Sequence, residues 1–198
     1  MEQGRRIETV GVGRMLSTAE AGTLPKVRIF VEPDKLDEDR AILGGSAYHH
    51  IKNVLRMNPG DTLVIFDGAG REVLAALEVF QAETAIARVL APTAASTESS
   101  LDLTLAPSLA KGKKIDLVVE KAVELGVNRI CVTTSRRSVA QVSPTLSLDR
   151  VERWRRIAIA AAEQSGRTMM PVIERIRQLE ELAAEKPADT LGLIFTRD

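Results

Sequence analysis

Three lysines surround a glycine at the point where a helix is predicted to begin. Lys111, Lys113 and Lys114 flank Gly112 and precede apolar residues that recur at helical spacing over 113–125. Cations are disfavoured at a helix N-terminus, because that end already carries partial positive charge. The pattern therefore favours a bound anion such as an RNA phosphate, although solvated surface lysines would look the same.

Two adjacent arginines directly follow the predicted strand 129–134. Arg136 and Arg137 stand between the hydroxyl residues Ser135 and Ser138. Ligands of open α/β sheets bind at the carboxyl ends of strands, and guanidinium and hydroxyl groups suit phosphate or ribose. We therefore predict an RNA contact here, and an ordinary charged surface loop is the alternative.

The only tryptophan lies inside a basic turn of a predicted helix. Trp154 stands among Arg153, Arg155 and Arg156, so it could stack on a nucleic-acid base. It also belongs to the apolar stripe of that helix, which favours a position in the core. Gln164, near the end of the same helix, has a polar group that could read a base edge.

Basic residues are concentrated in one region, although the chain has 198 residues and a formal net charge of zero. The range 129–167 holds eight arginines against three acidic residues. Such a patch is the minimum footprint for phosphate contact, but a solvated helix face has the same composition.

Several common classes of site are excluded by the sequence. Cys131 is the only cysteine, which rules out an intrachain disulfide and a thiolate metal cluster, and its apolar neighbours predict a buried, inert thiol. His49 and His50 are adjacent and cannot share one helix face as metal ligands. No dinucleotide, nucleotide-triphosphate, zinc-protease or serine-hydrolase motif occurs.

The sequence also bears on location. It has no apolar run of about 18 residues that could span a membrane. Residues 1–25 carry charges throughout and lack the apolar core of a secretory signal. We therefore expect a cytosolic, cytoplasmic protein.

The first half of the chain reads as short strands joined by tight turns. We predict strands at 27–31, 62–66, 71–80 and 83–90, with a hairpin turn at 67–70. A short helix over 46–56, capped by Ser46 and with Tyr48, Ile51 and Leu55 on one face, interrupts them. This order predicts a small β-barrel.

The second half alternates strands and helices. We predict strands at 101–105, 129–134 and 191–195. The predicted helices lie at 113–125 with Leu125 on the apolar face, at 148–165 with Ser147 as its cap, and near 178–186. Such an order implies right-handed crossovers and a parallel sheet.

These elements divide the chain into four parts. Residues 1–25 are predicted to be a flexible N-terminal extension, and 26–92 a β-barrel domain. The small, polar stretch 93–100 is predicted to be a linker, and 101–198 an α/β domain.

Taken together, the motifs resemble the RsmE family of 16S rRNA uridine-N3 methyltransferases from about residue 27 onward. The matching stretches are Arg28–Val31, His50–Met57, Pro59–Asp61, Phe66–Gly68, Lys111–Asp116, Val119–Val127, Arg137–Val139, Arg153–Trp154, Ile157–Ala158 and Ala161–Arg167, ending at Pro171.

The resemblance implies a fold and an activity. It implies a PUA-like β-barrel followed by a SPOUT methyltransferase domain, an α/β fold whose trefoil knot binds S-adenosylmethionine. It implies a homodimer that acts on 16S rRNA of the small ribosomal subunit, with no metal. By position, Arg56, Lys111, Lys114, Arg137, Gln164 and Arg167 would face RNA or the active cleft.

Two departures from the family pattern limit that transfer. Arg136 stands where the family usually has a glutamate, which makes the loop more basic. The glycine-rich donor loop of the family and its later Leu-Arg-x-Glu-Thr-Ala-type stretch do not occur. We therefore expect an incomplete methyltransferase domain that lacks its C-terminal knot, and a chain that is inactive alone.

Arg137 is the predicted catalytic residue, as a stabiliser of charge on the uracil or as a phosphate anchor, and no general base is assigned. Two other functions stay open. The chain could be a non-catalytic RNA-binding or ribosome-assembly protein that has lost the donor site, or a SPOUT methyltransferase for another RNA such as tRNA.

Overall fold

The computed structural model describes residues 25–93, 98–110, 112–134 and 144–195, with side chains omitted at 144–146. The strands are β1 (Arg28–Phe30), β2 (Arg40–Gly44), β3 (Thr62–Phe66), β4 (Glu72–Phe80), β5 (Thr84–Pro92), β6 (Thr104–Leu105), β7 (Arg129–Ile130), β8 (Thr133–Thr134), β9 (Val172–Ile173) and β10 (Arg177–Gln178). The helices are α1 (Gly45–His49), α2 (Lys114–Glu124), α3 (Pro144–Ser165) and α4 (Leu179–Ala184).

The first strands form a curled sheet in the order β1-β3-β4-β5-β2, which we call the N-terminal sheet. β1 pairs with β3 in parallel and the other pairs are antiparallel. Alternate residues of β4 and β5 point into the core, including Val73, Leu77 and Ala87. Irregular register in β4, between Leu74 and Ala75 and again near Leu77, bends the sheet.

The predicted strands of this half are confirmed, and β2 is an addition. β2 alternates exposed and buried residues like its partner β5. The prediction missed it because charged residues precede it and Gly44 and Gly45 close it, so the run looks like a loop.

The predicted helix 46–56 is wrong in its start and in its form. Gly44, not Ser46, occupies the N-cap position of α1, and a π-helical turn follows at His50–Val54. The backbone N–H of Leu55 donates to the carbonyl of His50, 2.9 Å away, which widens the turn. Ile51 is buried as predicted, whereas Leu55 is rotated outward and 38% exposed.

The second half contains parallel strands covered by helices. β6, β7 and β9 pair in parallel in that order, and β8 pairs in parallel with β10. α2 and α3 cover one face of these strands. Their core includes Val119, Val123, Ile130, Trp154 and Ala158. The predicted parallel arrangement is confirmed.

The limits of two predicted helices in this half are corrected. α3 begins at Pro144, so Ser147 lies inside the helix and is not its cap. Proline is favoured in the first turn of a helix, because no N–H partner is needed there. Leu125 is 80% exposed, because α2 ends at Glu124 and Gly126, with φ of 86°, turns the chain.

The predicted strand 191–195 is wrong. Leu191, Leu193, Ile194 and Phe195 are 70–93% exposed, and none of them belongs to a strand. A strand needs a neighbour to satisfy its backbone groups, and none of the other described segments pairs with this one. Of the predicted strand 101–105, only β6 forms.

The two halves share a core. Phe66 of β3 is fully buried against the α2–α3 cluster, and Phe30 of β1 packs there as well. Their ring centroids lie 5.7 Å apart. The N-terminal sheet and the helical half are therefore packed against each other. We call the contacts between residues 28–72 and 163–170 the junction.

Candidate functional site

The turn between β3 and β4 docks on the chain that follows α3. The N–H of Gly70 donates to the carbonyl of Thr168 at 3.1 Å, and the N–H of Met170 donates to the carbonyl of Gly68 at 2.8 Å. A Cβ at Gly68 would lie 2.7 Å from Cγ of Met170 and 2.9 Å from Cε2 of Phe30. The glycine at this turn is therefore needed for close packing as well as for its φ of 73°.

A carboxylate at the end of α3 binds the backbone of β1. Oε1 of Glu163 accepts a hydrogen bond from the N–H of Phe30, 3.0 Å away. Burial raises the pKa of Glu163, while that hydrogen bond and the charges of His50 and Arg28 lower it. Because His50 influences this carboxylate, the π-helical turn of the N-terminal sheet faces the end of α3.

Two arginines with little exposure to solvent make ion pairs beside the junction. Arg28 lies 2.7 Å from Glu72 of the same sheet and stacks 4.9 Å from the ring centroid of Phe66. Its guanidinium also donates to the carbonyl of Arg167, and this hydrogen bond crosses the junction. Arg167 itself pairs with Glu98, and its side chain is only 8% exposed.

Glu98 belongs to the stretch predicted to be a linker, and it is anchored. Its Oε1 accepts hydrogen bonds from the N–H and the hydroxyl of Thr168, at 2.7 and 3.0 Å, and from the N–H of Met169 at 3.0 Å. The chain at Glu98 is therefore held against the end of α3.

Arg56 is exposed at the end of the π-helical turn and has a φ of 53°. Such a backbone costs a residue with a side chain about 1–2 kcal/mol, and glycine is the usual choice at a helix end. Its guanidinium makes no ion pair within the described residues. Arginine at this strained, solvated position supports the prediction that its side chain meets a ligand.

Lys113 and Lys114 are exposed at the start of α2, as predicted. Gly112 has a φ of 69°, and a Cβ there would meet nothing within 4 Å. The surface at this end of α2 is therefore open to a ligand. Lys111, Arg136 and Arg137, which the sequence predicts as contacts, lie outside the described residues.

The candidate residues in and just after α3 are either exposed or buried. Gln164 is exposed, one residue after Glu163 and hence beside the junction. Trp154 is 3% exposed inside the α2–α3 core, so the core interpretation is confirmed and base stacking is excluded. Arg167, also predicted to face RNA, is buried at the junction, and its contact with RNA stays a prediction.

Cys131 is fully buried, as predicted. Burial, together with the nearby charge of Glu174, raises the pKa of its thiol to about 11. The thiolate is therefore absent near neutral pH. Within the described residues, no group of His, Cys, Asp and Glu could hold a metal ion, and no helix is long and apolar enough to cross a membrane.

Comparison with known proteins agrees with this architecture. A family model described as an RNA methyltransferase domain matches residues 97–198, which is more than half of the chain. The chain belongs to this RNA methyltransferase family. A second model, described as an RNA methyltransferase PUA domain, matches residues 43–90. The predicted fold, a PUA-like barrel followed by a SPOUT methyltransferase domain, is thereby confirmed.

Curated relatives of this chain carry the name that the motifs predict. Ribosomal RNA small subunit methyltransferase E of Bacillus subtilis is 30% identical over 158 residues, which are 78% of this chain and 62% of the relative. The enzyme of the same name from Synechocystis is 30% identical over 146 residues, or 74% of this chain and 46% of the relative. The resemblance to the RsmE family is confirmed, and the chain spans less than two thirds of these relatives.

A solved structure from Neisseria gonorrhoeae shows the same fold. That ribosomal RNA small subunit methyltransferase E, bound to S-adenosyl methionine, is 32% identical with a TM-score of 0.75. The match covers 82% of this chain and 66% of the other.

Sequence reasoning missed the residues that build the junction. Sequence reasoning places Gly68 only in a hairpin turn and gives Glu163 no contact of its own. The signal for Glu163 was weak, because its partner Phe30 lies 133 residues away. A carboxylate on a helix face that packs against a strand was the available hint.

Proposed function

We propose that this chain contributes the RNA-binding barrel and much of the methyltransferase domain of an enzyme that methylates N3 of a specific uridine in 16S rRNA. The observation that carries the proposal is the RNA methyltransferase match over residues 97–198, together with relatives named for the small-subunit rRNA. The enzyme acts in the cytoplasm, as a homodimer, on the small ribosomal subunit.

The domain limits follow the sequence prediction. Residues 26–92 form the barrel domain, 93–100 the connection and 101–198 the methyltransferase domain, after an extension over 1–25. Within this connection, Glu98 is held against the end of α3 by its contacts with Thr168 and Arg167.

The proposed RNA contacts lie on both sides of the junction. Arg56 of the barrel, Lys113 and Lys114 of α2 and Gln164 of α3 are exposed polar groups able to hold RNA. Lys111, Arg136 and Arg167 complete the proposed set. The junction holds the N-terminal sheet against the end of α3, so one RNA segment can contact both domains at once.

The reaction requires loss of the N3 proton. N3 lies on the pairing edge of uracil, so the uridine must be unpaired or flipped out of a helix. The anion formed at N3 spreads its charge to the uracil carbonyls, and Arg137 is the proposed group that stabilises this charge. S-adenosylmethionine, when bound, supplies the methyl group.

No donor contact is assigned to a residue. The glycine-rich motifs that the family uses for the donor do not occur in this sequence.

The test is deletion of the gene that encodes the chain. One uridine of 16S rRNA should lose its N3 methyl group, which primer extension detects because that methyl blocks base pairing. Re-expression of the gene should restore the block. An intact 16S rRNA with an undermethylated tRNA would contradict the proposal, and so would a strain with no RNA change.

A further inference from the structure

An exposed ridge runs along α3. Arg153, Arg156, Ala160 and Gln164 recur at intervals of three or four residues and so share one helix face, which we call the α3 ridge. All four are exposed. The opposite face carries the buried core residues, so the ridge points to solvent along most of the helix.

The charge of the ridge is incompletely neutralised. Arg153 pairs with Asp116, and the off-ridge Arg155 pairs with Glu152 at 3.5 Å. Arg156 makes no ion pair within the described ranges. No acidic residue occurs between Glu152 and Glu163 in the sequence, and Glu163 is engaged with the N–H of Phe30.

The exposed face of the neighbouring helix differs. Lys121 of α2 lies 2.8 Å from Glu124 and 3.0 Å from Glu120. A solvated helix face of this kind balances its own charges within a turn. The α3 ridge lacks that local balance, which is expected of a surface whose counter-charge comes from a ligand.

The two ends of the ridge lie near the start of α2 and near the N-terminal sheet. At one end, Arg153 pairs with Asp116, which lies in the first turn of α2, two residues after Lys114. At the other end, Gln164 follows Glu163, whose carboxylate accepts a hydrogen bond from the N–H of Phe30 in the N-terminal sheet. The ridge therefore runs from the start of α2 to the N-terminal sheet.

We propose that the α3 ridge binds the sugar–phosphate backbone of the RNA between the start of α2 and the barrel. Arg156 is the central contact, because its planar guanidinium can bind a phosphate through two N–H groups. Ala160 has a small side chain, which lets the backbone approach the helix. The distance from Arg153 to Gln164 is about 16 Å along the axis, enough for several nucleotides. This inference rests on the proposed RNA substrate and deepens it.

The test compares two adjacent arginines of α3. Arg156→Gln and Arg155→Gln remove the same charge from the same helix, but the two side chains point about 100° apart. Binding of a fluorescent, single-stranded RNA of mixed sequence to the full chain is measured over a range of salt. Arg156→Gln should weaken binding roughly five- to tenfold, and the slope of log K against log salt should fall by about 0.7. Arg155→Gln should change the affinity by less than about twofold and keep the slope.

Three outcomes would overturn the inference. Equal losses in the two variants would mean that only the overall charge matters, and no loss in either would mean that RNA does not reach the ridge. If Arg156→Gln weakened binding to polyglutamate but not to RNA, the ridge would instead be a binding surface for an acidic protein. A wild-type chain that binds no RNA would refute the proposed function itself, which is a different result. Equal urea midpoints for the two variants show that both are folded.

Discussion

The backbone N–H of Phe30 in β1 donates a hydrogen bond to the carboxylate of Glu163 at the end of α3, 3.0 Å away. The two residues belong to different halves of the molecule, 133 positions apart. This bond, the docked turn at Gly68 and the hydrogen bond from Arg28 to the carbonyl of Arg167 hold the two halves together at the junction.

Replacing the Glu163 carboxylate should weaken the junction. Glu163→Ala leaves the N–H of Phe30 without its acceptor, so the free energy of unfolding should fall by about 1–2 kcal/mol. Glu163→Gln keeps an oxygen acceptor and should cost much less. Urea denaturation measures both, and equal losses in the two variants would show that the hydrogen bond is unimportant.

The same carboxylate should make stability depend on pH. Burial raises the pKa of Glu163 above its ordinary 4.5, so the folded state binds this proton more tightly than the unfolded state. Its contribution is therefore present below the unfolded pKa and is lost as pH rises through the raised folded value. The wild type should lose stability relative to Glu163→Gln as pH rises from about 4.5, and a constant difference between them would contradict this.

Gly68→Ala should destabilise the chain more than the same change at another glycine with positive φ. A Cβ at Gly68 would lie 2.7 Å from Met170, whereas one at Gly60, with φ of 97°, would meet nothing within 4 Å. Gly60→Ala should cost about 1–2 kcal/mol from backbone strain alone, and Gly68→Ala about 1–3 kcal/mol more from overlap. The two urea midpoints give the comparison. Equal costs would mean that the turn can move away from Met170.

Loss of the Arg167 side chain should remove the cation that balances the nearly buried charge of Glu98. Arg167→Met should therefore lower the free energy of unfolding by about 3–5 kcal/mol. Combining it with Glu98→Gln removes the second charge, so the double variant should lose less than the sum of the two single losses. Additive losses in the thermodynamic cycle would show that the pair contributes no coupling.

Cys131 should be inert in the folded chain. Its thiol is fully buried with a pKa of about 11, so a thiol reagent at pH 8 should label it only after global unfolding. Denatured protein serves as the positive control, and the chain has no other cysteine to confuse the signal. Rapid stoichiometric labelling of the native protein would contradict the buried position.

Elements bounded by clear local signals were predictable, and contacts across the junction were not. β3 was placed at 62–66 because turn residues bound it on both sides, and α2 ends where Gly126 allows a positive φ. By contrast, the exposure of Leu125 depends on where the helix stops, and the strand expected at 191–195 needs a neighbour that sequence periodicity does not reveal.

In the candidate site, too, local features could be predicted and long-range contacts could not. Exposure of Lys113, Lys114 and Gln164 follows from helical phase, which the sequence shows. Arg167 is buried because it pairs with Glu98 and because its guanidinium occupies the space over Gly126. A side chain at position 126 would overlap that guanidinium. That arrangement brings together distant parts of the chain, and no local pattern encodes it.

The sharing of Phe66 between the two halves has a consequence for synthesis of the protein. The ring belongs to β3 but is buried by residues of α2 and α3, of which Ala162 is near the last. At translation rates of about 5–20 residues per second, the nascent sheet waits roughly 5–20 seconds for those helices. During that interval an aromatic surface is exposed on the ribosome, where a chaperone is expected to bind it.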